Sequence, residues 1–78
     1  MNNESNKNDY LNLGHIYWCL HDRQKAIENY RKSVLAAHMD HEWFARALMD
    51  DSKYLIVHGI QQFDIPLMVD YILMSANS

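Results

Sequence analysis

Residues that break helices are almost absent from this sequence: among 78 positions only Gly14, Gly59 and Pro66 are glycine or proline. Sandwiches and barrels spend such residues on their many turns, so the scarcity argues for a few long helices instead. The chain marks its stops in other ways. Asp22 follows a break at His21 and reads as the N-cap of a helix from Arg23 to about Ala37. Asp40, after His38 and Met39, caps a third helix over about 41–58. Gly59 followed by Ile60 is the pattern of a left-handed C-terminal cap and its hydrophobic contact. Asp64 can cap a fourth helix over about 65–76, with Pro66 in a first turn where its missing N–H costs nothing.

Apolar spacing between these stops is helical throughout. A first helix over about Asn6–Leu20 carries Tyr10, Leu13, Tyr17 and Leu20. The second shows Ala26, Ile27, Tyr30 and Val34 on one side, with Lys25, Glu28, Arg31 and Lys32 mostly opposite. Phe44, Ala47, Leu48 and Leu55 mark the third, and Ile65, Met68, Val69, Ile72, Leu73 and Ala76 the fourth. The expected architecture is all-α with four helices in one domain, residues 1–78. Polar residues 1–5 form a frayed tail, 6–40 an antiparallel hairpin, and 41–76 two further helices that pack on it.

Composition removes several function classes. The single cysteine, Cys19, cannot build a disulfide framework or a thiolate zinc site. The longest apolar runs, such as Ile65-Pro66-Leu67-Met68-Val69, fall far short of the ~20 residues that span a bilayer. The polar N-terminus lacks the charged-then-apolar layout of a signal peptide, which leaves the cytoplasm as the expected compartment. Ten acids against seven bases give a net charge of −3, which disfavours a broad phosphate-binding surface. His38 and His41 are three apart but straddle a helix boundary, and no third ligand is placed by spacing, so no metal or other cofactor is expected. Asp50 and Asp51 with His58 are the one candidate acid–base group. Asp51 falls on an apolar stripe, where an acid more often hydrogen-bonds a tyrosine or a helix N–H, or marks a wet end of the stripe, than catalyses. No phosphate loop, nucleophile elbow or paired glutamates accompany it, and a non-enzymatic protein is expected.

Residues 10–30 run Tyr10-x-x-Leu13-Gly14-x-x-Tyr17, then Ala26-x-x-x-Tyr30. This order resembles the tetratricopeptide repeat, and the likeness covers about residues 7–40. Gly14 and Ala26 fall where two antiparallel helices would cross, Tyr10, Tyr17 and Tyr30 would fill the space around the crossing, and Leu13 would face the partner helix. A second repeat starts with Phe44 and Ala47-Leu48 and then fails, because Asp51 stands where a tyrosine should. The second half therefore reads as a divergent helical pair that covers a lone repeat, since such units need neighbours over their apolar faces.

The resemblance implies a protein-binding function. In that family the inner face of the first helix lines a groove for a partner's peptide or helix, and the matching residues are Asn8, Leu11, Asn12, His15, Trp18 and Cys19. Leu11 and His15 occupy the positions where carboxylate-gripping members carry a basic residue and an asparagine, so a more apolar ligand is expected. Trp18 is either an exposed binding aromatic or, if the third helix covers it, core. Trp43, one step off the Phe44 stripe, is either an interface residue or the edge of the core. Two alternatives are self-association into a homodimer or larger homo-oligomer, and a small DNA-binding regulator using Arg23, Lys25, Arg31 and Lys32.

Overall fold

The computed structural model describes the backbone of residues 3–76 and the side chains of residues 6–75. Its elements are α1 (Asn3–Cys19), α2 (Arg23–Ala36), α3 (His41–Asp50), α4 (Ser52–Val57) and α5 (Asp64–Ala76). No strand occurs among the described residues, in line with the all-α expectation. None of their helices is long and apolar enough to cross a membrane. Residues 3–5, expected in a frayed tail, continue α1, because no glycine or proline precedes Gly14. Met1 and Asn2 of that tail, and the side chain of Ala76, lie outside the described residues.

Five helices replace the expected four, because the third is interrupted at one residue. Asp51, with ψ of 10°, leaves the helical range between α3 and α4. The ladder is bent there rather than cut: the Asp51 N–H still donates to the Ala47 carbonyl, and the Leu55 N–H to the Asp51 carbonyl, each at 3.2 Å. α5 starts at Asp64, one residue earlier than read, and Pro66 stands in its first turn.

Of the three aspartates read as N-caps, Asp22 and Asp40 cap their helices, whereas Asp64 is itself the first residue of α5. The Asp22 carboxylate accepts the Lys25 N–H at 3.2 Å, and the Asp40 carboxylate accepts the Trp43 N–H at 3.0 Å. Three helix ends close by one device. After α4, the Ile60 N–H reaches the Leu55 carbonyl and the Gly59 N–H the Ile56 carbonyl, with Gly59 at φ +100°. After α1 and α2 the same paired bonds form around His21 (φ 64°) and His38 (φ 57°). Histidine takes the place of glycine at both, at a steric cost of ~1–2 kcal/mol per residue.

α1 and α2 lie antiparallel: Gly14 and Trp18 meet Tyr30 midway, and at the open end the Ser33 hydroxyl donates to the Lys7 carbonyl at 2.8 Å. α5 packs back across α2 and α3. Tyr30 is fully enclosed at the centre, its ring edge-on to Trp18 (6.1 Å) and Phe44 (5.7 Å). Val34, Leu48, Leu55, Ile65, Met68 and Ile72 close the core around it.

The buried side of α1 differs from the expected one. Leu11, Gly14, His15 and Trp18 face inward, while Leu13 is 39% exposed and Tyr10 and Tyr17 sit at the edges. The reason is the close approach at Gly14. A methyl carbon there would come within 2.9 Å of three Tyr30 ring atoms, so Gly14 must face α2, and its neighbours at helical spacing turn inward with it.

Candidate functional site

Two polar side chains interrupt the apolar faces of α1 and of the α3–α4 segment, and they meet. His15 Nε2 lies 2.9 Å from Asp51 Oδ2, and His15 Nδ1 lies 2.7 Å from the Tyr30 hydroxyl. The carboxylate has no proton to give, so Nε2 carries the hydrogen and donates it to Asp51. Nδ1 then accepts from the Tyr30 O–H. With a neutral imidazole both ring nitrogens and the Tyr30 hydroxyl are paired, and Asp51 uses one of its two oxygens. Burial pushes the His15 pKa below its ordinary value, and the hydrogen bond and charge of Asp51 oppose that shift only in part. Burial likewise drives the Tyr30 phenol far above its ordinary range. The trio thus ties α1, α2 and the bend at Asp51 together across the middle of the fold.

Asp51 reaches solvent on its other side. With Asn12, His15, Ile16 and Tyr54 it lines an open cleft of about 350 Å³ between α1 and α4. The Asp51 side chain is 43% exposed, and Ile16 and Tyr54 are exposed to a similar degree. Helical spacing sets Leu13, Ile16 and Leu20 along one side of α1, all exposed, so the cleft opens beside an apolar strip.

The residues expected to line an open groove divide here. Leu11 and Trp18 are core, at 4% and 7% exposure, so neither can meet a partner, and for Trp18 the covered reading is the one observed. His15 is buried as well, with only its ring edge at the cleft wall. Asn12 is exposed and lines the cleft. Asn8 is exposed one turn earlier. Cys19 is half-buried against the core, and burial raises its thiol pKa. Trp43 packs at the core edge with the Lys7 ammonium over its ring at 4.5 Å.

The candidate acid–base group of Asp50 and Asp51 with His58 does not assemble. His58 Nδ1 donates to the Tyr54 carbonyl at 2.8 Å, its ring beside the Tyr54 ring, and Asp51 turns to His15 from 36 residues away. Tyr54, the largest side chain of the cleft, stands in the sequence at the edge of the Phe44–Leu48–Leu55 stripe, where nothing marks it as a site residue. A signal for the trio existed. Two polar residues set into apolar helical stripes are natural partners for each other, because each needs a buried hydrogen bond. Among the described residues no group of three or more metal-ligating side chains converges. The chain matches no protein-family model, no curated protein and no solved structure.

Proposed function

We propose that this protein binds another protein, without catalysis, through the α1–α4 cleft and the apolar strip of α1 beside it. The observation that carries the reading is the coincidence of a concave site with Leu13, Ile16 and Leu20 exposed along one helix side. Clustered apolar side chains next to a cleft are what a partner peptide or helix would cover. The resemblance of residues 10–30 to a tetratricopeptide repeat supports it, since Asn12 and His15 belong to the face such repeats use. The non-catalytic part rests on the trio's geometry. Both His15 nitrogens are engaged and the Tyr30 hydroxyl is sealed in the core, so neither is free to exchange protons with a substrate.

A second reading is self-association. Leu67, Tyr71 and Met74 are exposed along one side of α5, with Phe63 exposed one turn earlier, a strip a second copy could cover. One experiment separates the two readings. Native lysate is captured on the wild type, on an Ile16→Asp/Leu20→Asp variant and on a Phe63→Asp/Leu67→Asp variant, all surface changes. A protein retained by the wild type and the α5 variant but lost from the α1 variant supports the cleft. Loss confined to the α5 variant removes the cleft reading. Recovery of the chain alone, with a mass that falls on dilution, replaces it with self-association.

A further inference from the structure

We infer that the α1–α4 cleft is built to take a basic side chain of the partner, a lysine or arginine flanked by apolar residues. The inference rests on the reading of the cleft as the binding face and names the chemistry it selects. Asp51 uses one carboxylate oxygen for His15, and its second oxygen has no hydrogen-bond partner among the described residues. Burial favours the neutral His15 ring, in which Nε2–H donates to Asp51 and Nδ1 accepts from Tyr30, so the bond orients the carboxylate without cancelling its charge. No lysine or arginine among the described residues pairs with Asp51. A half-exposed carboxylate is thus held rigidly by a buried imidazole, with its charge unmatched, in the wall of a concavity.

The rest of the lining suits the same guest. Tyr54, one helical turn after Asp51, packs against the His58 ring and is 45% exposed, and its exposed part is a natural neighbour for a cation near a carboxylate. Ile16 on the opposite wall matches the aliphatic stem that lysine and arginine carry behind their charge. Asn12 adds an amide oxygen able to accept one more N–H. Leu13 and Leu20 beside the mouth would meet the guest's apolar neighbours in the partner chain. An anionic or purely aliphatic guest would leave Asp51 repelled or buried without a partner, and so is selected against.

The test uses two peptides, acetyl-Leu-Arg-Leu-amide and its citrulline counterpart, which keeps the shape of arginine and removes its charge. Each is titrated into the 15N-labelled full chain while amide resonances are followed. The arginine peptide is expected to move Asn12, Ile16, Asp51 and Tyr54, and the citrulline peptide to bind about fivefold more weakly. In Asp51→Asn, whose amide oxygen still accepts from His15, the preference should vanish. Equal binding of both peptides to the wild-type cleft would overturn the charge selection and leave the cleft as a binding face. Shifts located elsewhere, or none with either peptide, would overturn this inference and the cleft reading together.

Discussion

α1 and α3 contribute to the same core by different means. On α3 the buried apolar residues share one side: Phe44 and Leu48 are fully buried, the opposite side carries Glu42, Arg46 and Asp50, and Met49 is the large aliphatic residue left exposed. On α1 large apolar residues surround the helix, with Leu11 and Trp18 inside and Leu13, Ile16 and Leu20 outside. Burial of α3 follows from the hydrophobic effect alone. The orientation of α1 does not, because several rotations would bury similar apolar area. Shape decides it, since only the rotation that sets Gly14 against Tyr30 lets the two helix backbones close. The side of α1 left over is apolar by the same logic, and that is the side proposed to meet a partner.

The largest expected effect separates the two sides of α1. Trp18→Ala should destabilise the fold by about 3–5 kcal/mol, and Leu13→Ala by no more than about 1 kcal/mol. Denaturant titration of both variants measures the difference, and equal losses would mean that α1 is not rotated as described. Gly14→Ala tests the cause of that rotation. Helix propensity alone predicts a gain of about 1 kcal/mol, whereas the overlap with the enclosed Tyr30 ring predicts a net loss of about 1–2 kcal/mol. The sign of the change decides between them.

The polar trio predicts a dependence on pH. The folded state depresses the His15 pKa, so below the ordinary value of about 6.5 the unfolded chain binds protons that the folded chain resists. The stabilisation is fully present above that value and is lost as pH falls from it toward the lower folded value. His15→Gln should remove this part of the profile, and the difference between the two stability curves over pH 4–8 isolates it. Superimposable curves would show that His15 titrates alike in both states.

The smallest effects concern the helix ends. His21→Gly and His38→Gly should each stabilise by about 0.5–1 kcal/mol, because glycine accepts the positive φ that histidine holds under strain. At Gly59 the direction reverses, and Gly59→Ala should cost a similar amount. Thermal melts of the three variants give the comparison, which isolates backbone strain because nothing lies near the Gly59 Cβ position.

Local chemistry determined what a single segment can settle by itself. The scarcity of glycine and proline set the class, Asp22 and Asp40 set two helix starts, Gly59 with Ile60 set one helix end, and helical spacing named Phe44 and Leu48 in α3 and Ile65, Met68, Val69 and Ile72 in α5 as buried. These are legible because capping, left-handed turns and amphipathic burial act within a few residues of chain. Three features were decided only by tertiary structure: the rotation of α1, the bend at Asp51, and the union of His15, Tyr30 and Asp51 beside a cleft. Each depends on residues 15 to 36 positions apart meeting in space, where close packing and the satisfaction of buried polar groups choose among rotations that periodicity leaves equal.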